Sequence, residues 1–412
     1  SSFFAPPSVW VFAGALPAFV FYLLAPMFFH ESRRIQYPAE YIRQIVPIGI
    51  DFQSMMGAIE LWLKNGEYGQ YMFAPLVNIL FAPLLLLKYP FSYYALTLLT
   101  LAAYLILFLL SARTCGGLRE PIVVFIFAVS LFSYGLVFEF ERGQTYTISL
   151  MFALLAVYLF HYQRDLRWLA YLSFCVSVQM KFSPALFVLL FVDDWRDWKT
   201  NLLRFSALGA ANFLLFFLFG FSYVSAFYRH LAGGMEMGEP SVVNHSIQSF
   251  TFMLSSAEWG VLRGEAAEWA ARRAGLISTA LYLYYFVCFG VILADAWLKN
   301  RSGLNPDLFL VCLLGGLLLP SVNHDYTLSM LPAPVAMSFA AWDAAGSSKS
   351  KILNRLLLFA ASFAYAALLI PHTFKPVYLK NSLPLLFLLL TAFALQTLNR
   401  RSDWTPVIPK TG

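Results

Sequence analysis

Residues 90–112 read PFSYYALTLLTLAAYLILFLLSA, an apolar run without one charged side chain. Coiled as an α-helix, the run is long enough to cross the hydrocarbon core of a bilayer, which needs about 20 apolar residues. The strands of an outer-membrane barrel alternate apolar and polar residues and do not produce such a run. This stretch therefore predicts a helical membrane protein.

The rest of the chain repeats the pattern. Further apolar runs lie at 9–29, 71–88, 121–138, 146–162, 168–192, 203–226, 276–298, 307–320, 328–342, 354–371 and 381–398. The chain is 60% hydrophobic and 12% charged, whereas soluble domains carry about 25% charged residues. These figures exclude a soluble enzyme, a disordered chain and a coiled coil. We expect an all-α, polytopic membrane protein, one domain over 1–412 with about 10–13 transmembrane or broken helices.

The basic residues predict the topology. They cluster in short loops at 113–119, 164–167, 196–204, 299–301, 349–355 and 400–401, which the positive-inside rule assigns to the cytoplasm. If every run crossed once, the first two loops would lie outside. All six basic loops lie on the cytoplasmic side if the segments 71–88 and 168–192 each return to the side from which they entered. Both segments contain prolines, which can break a helix. We predict two broken segments; the alternative is single crossings with a weak charge bias.

This topology assigns two polar stretches, 30–70 and 228–275, to the outer face as large loops, together with the short segment around 323–326. Broken helices at membrane depth are tolerated where they line a protein cavity. We therefore expect a multi-pass protein of the plasma (inner) membrane, with a polar site on its outer or periplasmic face.

Ionisable and amide side chains near apolar runs are costly and need a reason. The candidates are Asp51, Glu139, Glu141, Arg142, Gln144, Lys181, Asn244, His245, Gln248, His324 and Asp325. Each also has a plainer interpretation: a loop or capping carboxylate for Asp51, an interfacial ion pair at 139–142, a snorkelling Lys181, or polar turns at 244–245 and 324–325. A spaced cluster of His and carboxylates is absent from the sequence, so we predict no metal site.

One carboxylate among several cations and amides suits group transfer from a lipid-linked phosphate donor. Asp51 would accept the proton of an acceptor hydroxyl. Arg142, Lys181 and a histidine would neutralise the charge that develops on the leaving phosphate. The broken segments would form an apolar groove for the lipid tail.

The chain resembles the GT-C superfamily of polyprenyl-phosphate-sugar glycosyltransferases, and more narrowly glycosyltransferase family 87. The resemblance rests on matching segments in order: Gly49-Ile50-Asp51-Phe52, Gly66-Glu67-Tyr68, Tyr71-Met72-Phe73-Ala74-Pro75, Ala82-Pro83, Arg142-Gly143-Gln144, Lys181-Phe182-Ser183-Pro184, Asn244-His245-Ser246-Ile247 and Asn323-His324-Asp325. Two segments depart from the family pattern, since Ala74-Pro75 replaces a pair of prolines and His245 replaces a glutamine.

The resemblance implies an inverting transferase that moves a sugar, with mannose favoured, from a polyprenyl-phosphate donor to a hydroxyl of a glycolipid or glycan of the cell envelope. It implies catalytic roles for Asp51 and His324. It also implies donor binding by Arg142, Gln144 and Lys181, with Asn244 and His245 lining the site. Glu139, Glu141, Asp325 and Gln248 would contact the acceptor or support these groups. No cofactor and no nucleic-acid partner are expected; the partners are the donor, the acceptor and the bilayer.

Two other classes remain open at this point. A membrane transporter or lipid-linked oligosaccharide flippase would also use broken helices and a lysine at membrane depth. Such proteins often contain similar halves, but the two long polar stretches differ in length and composition. The other class is a different integral transferase, such as a polymer ligase or an acyltransferase.

Overall fold

A computed structural model of the chain describes residues 8–29, 48–66, 73–118, 120–236, 241–256, 262–300, 303–344 and 349–400. Regular structure in these ranges is helical apart from isolated bridge residues, among them the antiparallel pair Asn244 and His324. The α-helices are α1 (Ser8–Phe29), α2 (Ile50–Asn65), α3 (Pro75–Phe81), α4 (Phe91–Thr114), α5 (Pro121–Ser130), α6 (Tyr134–Arg142), α7 (Tyr146–Tyr162), α8 (Arg167–Met180), α9 (Trp198–Leu215), α10 (Phe221–Glu236), α11 (Ile247–Ser255), α12 (Glu265–Arg272), α13 (Ala274–Leu298), α14 (Pro306–Leu318), α15 (Pro332–Ala344), α16 (Lys351–Leu368) and α17 (Leu383–Asn399).

Several of these helices are long and apolar enough to cross a membrane. Among the described residues they are α4, α13, α16 and the segment Trp198–Phe219, which extends α9. Large apolar side chains such as Leu203, Phe213 and Leu283 lie exposed on them, as expected where a helix faces lipid. The prediction of an all-α polytopic membrane protein is confirmed.

Helix α14 forms the centre of the molecule, and all of its residues are buried. It packs against α13, α15, α17 and the 3-10 helix Ser183–Leu190. A Cβ atom at Gly316 would lie 2.6 Å from the carbonyl oxygen of Ser183, so only a glycine permits this approach. The contact holds the chain firmly just after Lys181.

The segment 168–192 is broken as predicted. Helix α8 ends at Met180, Lys181 adopts an extended conformation (φ −151°, ψ 138°), and a 3-10 helix with Pro184 in its first turn follows. The two ends of the segment meet, because Arg167 Nη2 lies 2.5 Å from Asp193 Oδ1. The segment therefore returns to the level at which it started.

The other predicted break is milder. Helix α3 passes into a 3-10 helix at Ala82, with Pro83 in its first turn. Residues 71 and 72 lie outside the described part of the chain, as do 30–47 and 67–70 of the first polar stretch. The described remainder of that stretch is mostly helical, because it contains α2, and the second stretch contains α11 and α12.

The structure shows a further break in the run 121–138, which the sequence presents as one continuous apolar run. Helices α5 and α6 meet at an angle of 48° across residues 131–133. The hydroxyl groups of Ser130 and Tyr365 lie 2.6 Å apart, and Tyr134 N donates to Leu369 O. Leu131 N and Ser133 N keep local hydrogen bonds at the bend, and the residue after α16 supplies the acceptor for Tyr134 N.

Candidate active site

The site begins where α2 meets the end of α6. Gly49 N donates to the carbonyl oxygen of Glu141 at 2.8 Å, so the two helix ends are joined directly. Gly143 ends α6 with φ +68°, and a Cβ atom there would lie 2.6 Å from the Cβ of Phe52. A glycine is therefore required, both by the left-handed backbone and by the close approach. The contact places Asp51, in the first turn of α2, beside Arg142.

Asp51 forms a bidentate ion pair with Arg142. Arg142 Nε donates to Asp51 Oδ2 at 2.8 Å, and Nη2 donates to Oδ1 at 2.6 Å. Gln144 Nε2 donates to Oδ2 at 2.6 Å. The side chains of Asp51 and Arg142 are 23% and 22% exposed, so the pair is reached from outside the protein.

Asp51 keeps part of its hydrogen-bonding capacity. A carboxylate has about four lone-pair positions. The described donors occupy two on Oδ2 and one on Oδ1. Oδ1 can therefore accept one further hydrogen bond, for example from a hydroxyl group.

Lys181 joins the same network through Gln144. Its Nζ donates to Gln144 Oε1 at 2.7 Å and lies 4.2 Å from the centroid of the Tyr146 ring. Because the amide oxygen of Gln144 faces an ammonium and its nitrogen faces a carboxylate, its orientation is fixed. Arg142 thus contacts the carboxylate of Asp51 directly, whereas Lys181 is linked to it through the amide of Gln144.

The two glutamates of α6 differ in their contacts. Glu139 accepts hydrogen bonds from the backbone N and the Oγ1 of Thr147, at 2.8 and 2.5 Å, in the first turn of α7. It therefore caps that helix, a role favoured by the helix dipole. Both carboxylate oxygens of Glu141 are buried without a hydrogen-bond partner among the described residues.

A second cluster forms where 243–246 runs beside 323–327. His245 N donates to Asn323 O, and Asp325 N donates to Val243 O, at 2.9 and 2.8 Å. The fully buried His245 has Nδ1 3.0 Å from Asp325 Oδ1 and Nε2 3.2 Å from Thr327 Oγ1. Both ring nitrogens are thus engaged within the protein.

Asn244 and Gln248 complete the segment that includes His245. Asn244 Oδ1 accepts hydrogen bonds from the backbone nitrogens of Asn323 and Ser246, so it holds the two segments together. Gln248 lies in the first turn of α11, and no described hydrogen bond involves its side chain. A direct role of Asn244, His245 or Gln248 towards a substrate stays a prediction.

His324 lies beside Tyr326, whose ring connects the two clusters. Its ring lies 5.4 Å from that of Tyr326, whose ring is also 5.4 Å from those of Phe138 and Tyr146. Burial, reinforced by the positive charge of Arg142, lowers the pKa of His324 to about 4. The imidazole is therefore neutral near pH 7, and its Nδ1 is buried without a partner among the described residues.

Sequence reasoning missed the loop between α16 and α17. Asn381 Nδ2 donates to the carbonyl oxygen of Asn244 at 2.8 Å, and His372 Nδ1 lies 3.2 Å from Tyr134 Oη. Lys375 lies between His372 and Asn381 in sequence, and its side chain is buried. Burial lowers the pKa of Lys375, and the negative charge of Asp325 partly offsets this effect. A usable signal was a lysine between Phe374 and Pro376, in a loop flanked by two apolar runs.

The arrangement offers proton acceptance at Asp51 and positive charge at Arg142 and Lys181. Nowhere in the described ranges do three or more His, Cys, Asp or Glu residues come together as a metal site would require. These groups are suited to deprotonating a hydroxyl and stabilising an anionic leaving group.

Comparison with known proteins agrees with this chemistry. No curated protein and no solved structure matches the chain. The sequence model of glycosyltransferase family 87 matches residues 71–321, more than half of the chain. The match includes Arg142, Gln144, Lys181 and His245, while Asp51 and His324 lie outside its ends. The chain belongs to glycosyltransferase family 87.

Proposed function

We propose that this glycosyltransferase moves a sugar from a polyprenyl-phosphate donor to a hydroxyl group of a glycolipid or glycan, with inversion at the anomeric carbon. The observation that carries the proposal is the network of Asp51, Arg142, Gln144 and Lys181. It joins one accessible carboxylate to Arg142 by direct contact and to Lys181 through a single amide. Family membership favours a transferase over the transporter or flippase alternative.

In the proposed mechanism the acceptor hydroxyl donates to the free position on Asp51 Oδ1. Its oxygen attacks the anomeric carbon while the bond between that carbon and the phosphate oxygen breaks. The proton passes to Asp51, and the electron pair leaves with the phosphate, which becomes a dianion. One displacement needs one base, so a second carboxylate acting as nucleophile is not required.

The positive groups act on the leaving phosphate. Lys181 is held by Gln144 and by the face of Tyr146, so its ammonium is positioned before the reaction. Arg142 uses Nε and Nη2 for Asp51, and no described hydrogen bond occupies Nη1. Preorganised charges of this kind stabilise developing negative charge more than mobile water does.

The lipid tail and the location follow from the membrane setting. Exposed Phe182 follows the break at Lys181, and its ring lies 5.8 Å from that of Phe216, in the same 3-10 helix as exposed Leu218; these side chains offer a surface for a polyprenyl chain. The proposed site faces the outer or periplasmic side of the plasma membrane, because the basic loops are assigned to the cytoplasm. Mannose is the favoured sugar by resemblance to the family.

The test incubates the purified protein in lipid nanodiscs with polyprenyl-phosphate mannose, glucose and arabinofuranose, each with a mixture of envelope glycolipids. We expect consumption of one donor and release of polyprenyl phosphate, followed by mass spectrometry. Nucleotide sugars supplied alone serve as the control. Transfer from a nucleotide sugar, with every lipid-linked donor left intact, would refute the proposed donor.

A further inference from the structure

A groove between α8 and α9 lies outside the candidate active site. Its volume is about 410 Å³, within the range of about 300–1,000 Å³ that is common for ligand sites. Tyr171 of α8 lines one side of it. The other side is one face of α9, made of residues three and four positions apart: Thr200, Leu203, Arg204, Ala207, Leu208 and Ala211.

The groove lies on a surface that faces lipid. It runs along Trp198–Phe219, an apolar segment long enough to span a membrane, of which little is buried. Leu203 in its wall is 71% exposed, so the groove opens away from the protein interior. Between Thr200 and Ala211 the helix rises by about 16 Å. This length is about half of the 30 Å hydrocarbon core, so the groove matches a lipid chain of one leaflet.

The two ends of the groove differ in polarity. Arg204 lies at one end, one turn from the exposed Trp198, a residue type enriched at membrane–water interfaces. Ala207, Leu208 and Ala211 line the other end, without a polar side chain. A phospholipid has the same order of polarity, with a charged headgroup followed by acyl chains. The positive-inside rule assigns the loop 196–204 to the cytoplasm, so the polar end belongs to that leaflet.

Arg204 is held in place by the protein and belongs to a cluster with excess positive charge. Its Nη1 donates to Phe191 O at 2.7 Å and its Nη2 to Asp193 Oδ2 at 3.3 Å. Asp193 also accepts from Arg167 Nη2 at 2.5 Å, so one carboxylate serves two guanidinium groups. Both guanidinium carbons lie near the centroid of the Phe160 ring, at 4.4 and 4.8 Å. No described hydrogen bond uses Arg204 Nε.

The adjoining loop does not cancel this charge. Its acidic residues Asp194 and Asp197 are matched in number by Arg196 and Lys199. One formal positive charge therefore remains at the polar end of the groove. A lipid with a net negative headgroup complements it, whereas a zwitterionic lipid adds no net charge.

The apolar end of the groove is closed towards the candidate active site. Asn212, the residue after Ala211, is buried, and its Nδ2 donates to Cys175 Sγ at 3.5 Å. Gln179 Nε2 donates to Asn212 O at 3.0 Å. Because α8 and α9 are joined by these bonds between the groove and Lys181, the groove is entered from the membrane. This geometry favours a separate lipid over the tail of a donor bound at Lys181.

We propose that this groove binds an anionic phospholipid of the cytoplasmic leaflet. One acyl chain lies along Ala207, Leu208 and Ala211, and the headgroup phosphate contacts Arg204. The bound lipid fills the space between α8 and α9 and so stabilises their pairing. The inference does not depend on the sugar or on the donor of the proposed function.

The first experiment measures thermal unfolding of the purified protein in detergent. Phosphatidylglycerol and phosphatidylcholine with identical acyl chains are added separately. A lipid that binds the folded state raises the melting temperature saturably. Half-saturation should need about fivefold less phosphatidylglycerol, the effect of one cation beside an anionic headgroup. Equal half-saturating concentrations would overturn the proposal.

The second experiment locates the lipid. Ala207→Phe fills the groove, whereas Ser206→Phe adds the same ring to another exposed position of α9. Since neither position is buried, both variants should fold. The rise with phosphatidylglycerol should be lost in Ala207→Phe and kept in Ser206→Phe. The same response in both variants would place the lipid elsewhere and overturn the proposal.

Two further comparisons test the headgroup and the identity of the lipid. Arg204→Gln, measured from its own lipid-free melting temperature, should bind both phospholipids equally, and a retained preference would contradict the headgroup contact. Polyprenyl phosphate is titrated in the same way. If Ala207→Phe abolishes the effect of polyprenyl phosphate and leaves that of phosphatidylglycerol, the groove holds a polyprenyl tail and the proposal is wrong. A wild type that transfers no sugar contradicts the proposed function and leaves these titrations unaffected.

Discussion

Replacing Asp51 by asparagine tests the central residue of the proposed mechanism. The amide oxygen can occupy the position of Oδ2 and keep the hydrogen bonds from Arg142 Nε and Gln144. The amide nitrogen then replaces Oδ1, so it faces Arg142 Nη2 and removes the acceptor position proposed for the substrate hydroxyl. The substitution thus changes one hydrogen bond and the base while leaving the size of the side chain unchanged.

The expected effects on turnover and stability differ in size. Loss of a general base lowers kcat by about 100- to 10,000-fold, which corresponds to about 3–5 kcal/mol of transition-state stabilisation. Loss of one hydrogen bond between charged groups costs about 1.5–3 kcal/mol, and solvent reaches this pair, so the lower value applies. We therefore expect a severe kinetic defect with a modest fall in melting temperature.

The assay measures single-turnover transfer of labelled sugar at saturating donor, with donor binding followed by thermal stabilisation. Asp193→Asn is the matched control, because Asp193 also pairs with arginines, Arg167 and Arg204, at the far end of the broken segment. It should lose stability but keep turnover per folded molecule. If Asp51→Asn retains more than a tenth of wild-type turnover, Asp51 is not the base.

Three further predictions test the construction of the site. Gly143→Ala should lower both stability and turnover, since the left-handed backbone alone costs about 1–2 kcal/mol, whereas Gly209→Ala, where a Cβ meets no atom, should be neutral or stabilising; similar melting temperatures for the two would contradict the packing argument. His324→Gln should make the stability of the fold less sensitive to acid. The pKa of His324 is about 4 in the folded protein and about 6.5 when unfolded, so wild type loses up to about 2 kcal/mol of unfolding free energy between pH 6.5 and 5. Parallel plots of melting temperature against pH for the two proteins would refute this. Tyr146→Phe should retain turnover and Tyr146→Leu should reduce it about 3- to 30-fold, since the aromatic face over Lys181 contributes about 0.5–2 kcal/mol; equal rates would remove this contact from the mechanism.

The sequence predicted those parts of the fold that depend on local pattern. Runs such as 146–162 coincide with helices because uninterrupted apolar residues must satisfy their backbone internally in lipid. The break at Lys181 was predictable because a proline and an inconsistent charge bias point to the same segment. The bend between α5 and α6 was not, because no proline or glycine occupies 131–133 and the contacts found there are with residues 365 and 369, distant in sequence.

The site was partly predictable for a similar reason. Asp51, Arg142, Gln144 and Lys181 stand out as polar groups beside apolar runs, and the structure brings all four into one network. Their hydrogen bonds to one another could not be predicted from the sequence, because they depend on the approach of α2 to α6 at Gly143. Lys375 was missed because it lies in a short connecting loop, where a lysine is ordinary until the fold buries it.

The break at residue 181 and the lysine at that position explain each other. A charged side chain within a continuous helix at membrane depth costs about 2.5–3.5 kcal/mol on insertion scales, and a helix broken there loses backbone hydrogen bonds. Here Lys181 is extended, so its side chain leaves the helix surface and reaches Gln144 and Tyr146. The contact of Gly316 with Ser183 fixes the chain two residues after this point. Restoring a regular helix would therefore withdraw the ammonium from Asp51's network, so the irregular backbone is a requirement of the site.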